Sequence, residues 1–352
     1  MKSMYEFRVN SKYANRLFKP DEGKDLGSVR VIHISPDDDP RFSKIGDLKK
    51  MVHRETNGRE YFFAGWNIRY RYTEGEFRAA PCFHFSISAT FEPPGELCGT
   101  KYDESVACPK CGSGAAQVSD LRLDLRKVPK GKEIATTIAD EIIVSQHLAE
   151  KMTDAGLTGF ELRRVRHKAR YEDDPLDLHK VPTGRKILGK AEAAGAPHPT
   201  GNFWVWLNRT ENRAMLEQAR SEHVAMKTEA SMRKGARMPV WHQLVVTANT
   251  AEIVAPTRVG INPFDYDPRG ECRCPLGDLI GLNLLSEVSI SVASRGEADI
   301  VCSRQFIGTR HVVGPQAGLL RPRRVMLISP KFRKLLEMEK VKGFNIEVAH
   351  LV

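Results

Sequence analysis

The chain has 352 residues and a formal net charge of +10; 41% of the residues are hydrophobic and 28% are charged. This composition allows one large or two ordinary globular domains, and the positive charge favours either an acidic partner or a solvated basic surface. No apolar run reaches the roughly 20 residues of a membrane span and the charged N-terminus is unlike a secretory signal, so we expect a cytoplasmic protein without membrane contact.

Residues 1–97 form a region in which strands dominate. Apolar and polar residues alternate at 29–34 and at 83–88, which is the period of a strand with one buried face. Proline-containing turns at 36–40 and 92–95 separate these segments. We therefore predict a sheet-rich N-terminal region.

Residues 98–170 form the first of two predicted modules. It opens with the turn Cys108-Pro-Lys-Cys111-Gly112 and continues to an apolar strand that ends at Ser145. A serine hydroxyl at this point can accept a hydrogen bond from an amide in the first turn of a helix. This predicts a capped helix over 146–155, which Gly156 would end.

Residues 171–240 have a different character and are predicted to be a helical insert. Trp204 and Trp206 lie in a short aromatic segment, and an apolar pattern from Thr210 to about Arg233 indicates a long helix. Such an insert either packs on the scaffold or presents a recognition surface to a partner.

Residues 241–352 form the second module, and part of it repeats the first. Residues 142–165 align with residues 326–349 without a gap, at a constant offset of 184. Ser145 then falls on Ser329, and the apolar stripe and the glycine exit of the helix recur as well. We therefore predict an α+β fold built on a duplicated strand-helix-strand module.

Four of the seven cysteines occur in two clusters, one before each repeat copy. A cytosolic chain keeps its thiols reduced, and clustered thiolates are the ligands of closed structural zinc sites. We predict one zinc ion held by Cys108, Cys111, Cys272 and Cys274. Cys98 could replace one of these ligands, and the alternative is a set of buried thiols without a metal.

No catalytic arrangement is recognisable in the chain. It lacks a Ser-His-Asp order, a nucleophile elbow, a phosphate loop and a His-Glu-x-x-His motif. We therefore predict no catalytic residues, with an unrecognised hydrolase or nuclease as an alternative. Short basic clusters at 163–168 and 321–324 leave nucleic-acid binding open, although neither resembles a basic arm.

The first cysteine motif and the segments after it resemble a known family. The Cys108-Pro-Lys-Cys111-Gly112 turn, the strand that ends at Ser145 and the segment Gly159-Phe160-Glu161 are similar to the double-CXXCG-motif immunity proteins of bacterial contact-dependent toxin systems. The closing segment Ser329-Pro330-Lys331-Phe332 is similar to the end of those proteins. The second motif of the family is expected as Cys-x-x-Cys-Gly, whereas this chain has Cys272-Arg273-Cys274-Pro275-Leu276-Gly277.

The resemblance implies a protein without enzymatic activity that binds a cognate bacterial toxin and neutralises it. We hypothesise a zinc-stapled scaffold that blocks the toxin sterically. Trp204, Trp206 and Trp241 are candidate anchors because interface hot spots favour tryptophan, although core packing is the simpler role for Trp241. The alternative function is a nucleic-acid-associated zinc protein of a bacterial defence or mobile-element locus.

Overall fold

The computed structural model describes residues 1–234, 238–266, 270, 274, 279–308 and 322–352. Helices and several sheets alternate along these residues, so the predicted α+β class is confirmed. Among the helices described, even the longest lacks an apolar stretch that could cross a bilayer.

The N-terminal residues build a small antiparallel sheet with a helix packed against it. The elements are β1 (Lys2–Asn10), α1 (Ser11–Ala14), β2 (Lys24–Asp25), β3 (Val29–Ile34), α2 (Arg41–Glu55) and β4 (Phe63–Arg71). The strand order is β2-β3-β1-β4. Ile45 and Val52 of α2 share a core with Phe7 of β1. Helix α3 (Glu74–Ala79) leads out of this domain.

The first of two related units spans residues 82–168. Its strands and α-helix are β5 (Cys82–Ile87), β6 (Thr90–Phe91), β7 (Tyr102–Asp103), β8 (Ala116–Gln117), β9 (Arg122–Leu123), β10 (Ile134–Thr137), β11 (Ile142–Ser145), α4 (Gln146–Asp154), β12 (Phe160–Arg164) and β13 (Arg166–His167). Two short 3-10 helices cover Gly95–Cys98 and Leu125–Lys127.

A helical insert follows, as predicted for this part of the chain. Its helices are α5 (Pro182–Ala193), α6 (Gly201–Leu207) and α7 (Arg213–Lys234), with 3-10 helices at Tyr171–Asp173, Leu178–Lys180 and Thr210–Asn212. The insert has a core of its own, which contains Ile187, Phe203 and Ala219.

The second unit spans residues 241–352. Its elements are β14 (Trp241–Val246), β15 (Val259–Asn262), β16 (Asp265–Tyr266), β17 (Leu279–Ile280), β18 (Asn283–Leu284), β19 (Val288–Ile290), α8 (Val292–Arg295), β20 (Ile300–Gly308), β21 (Arg323–Ile328), α9 (Pro330–Met338) and β22 (Phe344–Leu351).

Both units build a sheet with the same strand order and the same register. The first sheet has the order β12-β14-β11-β10-β6, and the second contains the matching order β22-β5-β21-β20. Leu162 pairs with Leu244 in the first sheet, and Ile346 pairs with Phe85 at the equivalent place in the second. The pairs β10–β11 and β20–β21 also match in register.

The two units exchange their leading strands. β5 precedes the other strands of the first unit in sequence, yet it lies between β21 and β22 of the second unit. In the same way β14 precedes the strands of the second unit but lies between β11 and β12 of the first. Residues 82–91, which the sequence pattern placed in the N-terminal region, thus belong to this interleaved pair.

Three hydrophobic cores result from this arrangement. The helices α4 and α9 pack with both sheets in a central core, where Leu148 and Phe332 belong to one cluster. Successive residues on a strand point to opposite faces. Val144 of β11 therefore lies in the central core, while Ile143 lies in an outer core beneath the first sheet. The second sheet has an equivalent outer core.

The serines that precede the two helices cap them as predicted. The amide of Leu148 donates to Ser145 Oγ, and the amide of Phe332 donates to Ser329 Oγ, both at 3.1 Å. A cap of this kind typically stabilises a helix by about 1 kcal/mol. Pro330 occupies the first helical position of α9, where its missing donor costs nothing.

Gly159 and Gly343, which follow the two helices, each lie against the backbone of the other unit. Gly159 and Gly343 have φ values of +93° and +112°. A Cβ on Gly159 would lie 2.1 Å from the carbonyl oxygen of Ile300, and one on Gly343 would lie 2.9 Å from that of Ile134. Ile300 and Ile134 begin equivalent strands, so the same contact is made twice.

Candidate metal centre

Each unit contains an antiparallel strand pair that encloses a cysteine-bearing segment of the chain. We call each pair with its segment a hairpin, and the two pairs are equivalent. β7 pairs with β8 in the first unit, and β15 pairs with β18 in the second. Ser119 Oγ accepts a hydrogen bond from the amide of Lys101, and Ser286 Oγ accepts one from the amide of Arg258, both at 2.8 Å. The first cysteine cluster lies between β7 and β8, and Cys274 lies between β15 and β18.

The two hairpins bring three of the predicted ligands together. The sulfurs of Cys108, Cys111 and Cys274 all lie within 4.8 Å of one another, and these three form the one such group found within the described residues. The distance between Cys111 Sγ and Cys274 Sγ is 3.8 Å. Residues separated by more than 160 positions therefore meet at one point between the units.

The turn around Cys108 and Cys111 directs both sulfurs to the same side. The amide of Gly112 donates to the carbonyl of Cys108 at 2.7 Å, and the amide of Cys108 donates to the carbonyl of Ser113 at 2.8 Å. Gly112 has a φ of +71°, a conformation that glycine adopts without strain. Glycine is therefore the residue that this tight turn requires.

Apolar side chains from the second unit surround the cysteines. Cys111 is buried and shares a small cluster with Ile280 and the half-buried Phe306. The guanidinium of Arg324 covers the ring of Phe306, 4.3 Å from its centroid. Ser113 Oγ lies 3.3 Å from Cys111 Sγ, where its hydroxyl can donate a hydrogen bond to a thiolate. The site is thus partly shielded from water and has a hydrogen-bond donor beside one sulfur.

The spacing of the sulfurs fits a thiolate-bound metal ion. A tetrahedral zinc site has Zn–S bonds of about 2.3 Å, which places its sulfurs about 3.8 Å apart. The separation between Cys111 Sγ and Cys274 Sγ matches this value. Cys108, Cys111 and Cys274 therefore lie close enough to hold one metal ion.

The remaining cysteines have other surroundings. Cys272, the fourth predicted ligand, lies outside the described residues. Cys98 is buried in its 3-10 helix and is not part of the group, and burial raises the pKa of its thiol. Burial also raises the pKa of Cys82, and it raises that of Cys302 to about 12. These three thiols therefore stay protonated at neutral pH.

The three candidate tryptophan anchors differ in exposure. Trp241 and Trp206 are buried in the outer core of the first sheet and in the core of the insert, so Trp241 has the packing role expected of it. Trp204 is 51% exposed, and the neighbouring Val205 is 68% exposed. The ring of His198 packs against Trp204 with 5.9 Å between centroids. Only Trp204, of these three residues, is available to a partner.

A cleft that had no signal in the sequence opens between the units and strand β4. Its volume is about 940 Å³, and both units and the β4 segment from Phe63 to Tyr70 line it. Two polar contacts lie in its wall: His84 Nδ1 is 3.0 Å from Glu347 Oε2, and Arg323 Nη1 is 3.6 Å from Asp140 Oδ1. Because its walls come from separate parts of the chain, only the fold reveals it.

No protein-family model matches the chain, and a search of curated proteins finds no match.

Proposed function

We propose that this chain is a zinc-stapled binding protein that neutralises a cognate bacterial toxin by direct contact. The observation that carries the proposal is the meeting of Cys108 and Cys111 with Cys274 from the second hairpin. The resemblance rests on two cysteine motifs, and residues of both motifs belong to this group. No residue of the chain is assigned a chemical step in this function.

A bound zinc ion would act as a structural cross-link between the two units. Thiolate ligands favour zinc among the common metals of such sites, and a closed structural site contributes its binding energy to folding. The ion would hold the two hairpins, and with them the interleaved sheets, in one fixed arrangement. A rigid scaffold lowers the ordering cost of binding a partner.

Trp204 is the anchor that we assign to the toxin contact. An exposed tryptophan can bury a large apolar area in a partner, and tryptophan is enriched among interface hot spots. Phe203 and His198 pack against its ring and limit its freedom in the unbound protein. The insert would therefore present this side chain in a prepared orientation.

The function can be tested with the protein encoded next to this chain in its genome. We expect that neighbour to arrest growth when it is expressed alone in a heterologous host and to be harmless when co-expressed with this chain. The purified proteins should form a complex, and Trp204→Ala should weaken its affinity roughly tenfold or more without changing the Tm. A neighbour that is harmless alone, or toxicity that co-expression leaves unchanged, would contradict the proposal.

The metal can be tested separately, with a matched cysteine control. We expect the purified chain to contain about one equivalent of zinc by mass spectrometry of the metal, because one closed site takes one ion. Cys274→Ser should abolish this content and lower the Tm by roughly 5 °C or more. Cys302→Ser, outside the group, should keep the zinc. A metal-free wild-type protein, or equal zinc loss in both variants, would reject the site.

A further inference from the structure

The surface of the first unit carries a row of cations. Arg164 ends β12, Arg166 begins β13, and Lys168 follows β13. Arg122 of β9 pairs with Arg166. All four residues are exposed, whereas the intervening Val165 points into the outer core. We call these four residues the basic ladder.

Few acidic groups of the described residues contact the basic ladder. Its one ion pair among them joins Arg166 Nε to Asp120 Oδ2 at 3.1 Å. Arg122, Arg164 and Lys168 have no carboxylate of the described residues within salt-bridge distance. Three positive charges therefore lie on one surface, and no carboxylate in the described part of the chain neutralises them.

Two of these cations converge over a glycine. The Nζ of Lys168 and Nη1 of Arg122 lie 3.2 Å and 3.8 Å from the position that a Cβ on Gly99 would occupy. Gly99 has a φ of +93° and leaves this space open. The result is a small recess bordered by an ammonium and a guanidinium group, which are the two side-chain groups that proteins use to bind phosphate.

The second unit shows that the fold does not need these charges. The contact of Arg166 with Asp120 has a counterpart there in position, where His350 Nε2 lies 2.9 Å from Glu287 Oε2. The positions equivalent to Arg122, Arg164 and Lys168 are instead Ser289, Val348 and Val352. The same sheet is thus built without the three cations. Because these three cations repel one another and the fold does not need them, we look for their role in binding.

We propose that the basic ladder binds the phosphate backbone of a nucleic acid without reading its bases. Alternate residues of a strand are about 6.7 Å apart, so Arg164, Arg166 and Lys168 distribute their charges over roughly 13 Å of the surface. The whole segment 164–168 contains no Phe, Tyr or Trp on which a base could stack, and stacking is the usual route to base contact with single strands. This activity goes beyond toxin neutralisation and does not depend on it.

Fluorescence anisotropy with three labelled probes tests the proposal: a 20-nucleotide single strand of mixed sequence, the matching duplex, and a hexaglutamate peptide. We expect the full chain to bind duplex DNA with affinity that falls roughly 40-fold between 50 and 200 mM salt, as release of counterions by about three phosphate contacts requires. Hexaglutamate should bind more weakly than either nucleic acid at every salt concentration.

A charge-matched pair of variants locates the surface. Arg122→Glu/Arg164→Glu/Lys168→Glu should lower DNA affinity at 50 mM salt by tenfold or more and flatten the salt dependence. Lys44→Glu/Lys50→Glu/Arg54→Glu changes the net charge equally on helix α2 and should stay within about threefold of the wild type. The corresponding Gln variants of the ladder, with Tm values near that of the wild type, separate lost contacts from misfolding.

Three results would overturn the proposal. Equal losses in the ladder and α2 variants would mean that only net charge matters. Hexaglutamate that competes with duplex DNA at equal affinity would assign the ladder to an acidic protein surface instead. Absence of measurable binding at 50 mM salt would also reject it.

Discussion

Gly159 and Gly343 each lie against the backbone of the other unit, and each has a backbone conformation that other residues rarely adopt. We predict that Gly159→Ala lowers the free energy of unfolding by roughly 3 kcal/mol, because the new Cβ would meet the carbonyl oxygen of Ile300 and the left-handed φ would be strained. Urea denaturation measures this loss.

Gly156 provides the matched control for that substitution. It also has a left-handed φ, +58°, but a Cβ there would meet nothing within 4 Å. Gly156→Ala should therefore cost only about 1 kcal/mol. Equal losses at Gly156 and Gly159 would show that backbone conformation, and not the contact between units, sets the cost.

His223 is a second residue whose surroundings make a clear prediction. Its side chain is 3% exposed, and neither ring nitrogen has a hydrogen-bond partner among the described residues. An unpaired buried polar group is destabilising by about 1–3 kcal/mol. His223→Leu should therefore raise the free energy of unfolding by roughly 1 kcal/mol. The control substitution His179→Leu, at an exposed position, should hardly change the free energy of unfolding. If His223→Leu lowers the free energy of unfolding, the ring of His223 has a hydrogen-bond partner and the prediction is wrong.

At the scale of elements, Asp174 joins the insert to the first unit. Its carboxylate lies 2.7 Å from Lys127 Nζ and 3.3 Å from Arg126 Nη1 of that unit, and 3.9 Å from Lys227 Nζ of α7. Burial alone would raise the pKa of Asp174, but these three cations outweigh it and lower the pKa overall. The charged form is therefore favoured by the fold.

The direction of this shift predicts how stability depends on pH. A carboxyl group whose pKa is lowered in the folded state stabilises the fold above its ordinary pKa, and that contribution is lost as pH falls through the acid range. We expect Asp174→Asn to lower the Tm at pH 7 and to make the decline of Tm between pH 5 and pH 3 shallower. The control substitution Asp21→Asn, at an exposed carboxylate, should leave the Tm at pH 7 and its decline between pH 5 and pH 3 unchanged. If Asp174→Asn has the same pH dependence of Tm as the wild type, Asp174 does not stabilise the fold in this way.

The sequence predicted the elements whose signals are local. Ser145 and Ser329 predict capped helices, and the cysteine pair with Gly112 predicts a tight turn. In each case the residues that form the element lie within a few positions of one another. Helix α6 was not predicted, since its Trp-Val-Trp segment has no helical period. The exposure of Trp204 on α6 likewise depends on neighbours that are distant in sequence.

At the scale of the molecule, only part of the duplication was visible in the sequence. The counterpart of Val144 is Ile328, 184 positions later, but the counterpart of Ile134 is Ile300, 166 positions later. Loops of different length change the offset and hide the repeat upstream of β11. The meeting of Cys108, Cys111 and Cys274 was predictable from ligand chemistry, whereas strand exchange was not, because spacing does not reveal which sheet a strand joins.

Strand exchange predicts how the chain responds to division. Residues 1–169 lack β14, the strand between β11 and β12, while residues 170–352 lack β5, the strand between β21 and β22. Each piece expressed alone would expose unpaired strand edges, which favour aggregation, so we expect both to be insoluble. Co-expression should restore a soluble one-to-one complex, as size-exclusion chromatography can show. Two pieces that fold independently would disprove the interleaving.

The interleaved sheets have a consequence for a single copy of the module. One copy with this architecture could complete its sheet only by pairing with a second copy, and the cysteine segments of the two would then meet at the dimer axis. Within one chain the same association is intramolecular and therefore independent of concentration. In the second unit Gly277 stands where the first has Cys111, the last cysteine of its motif.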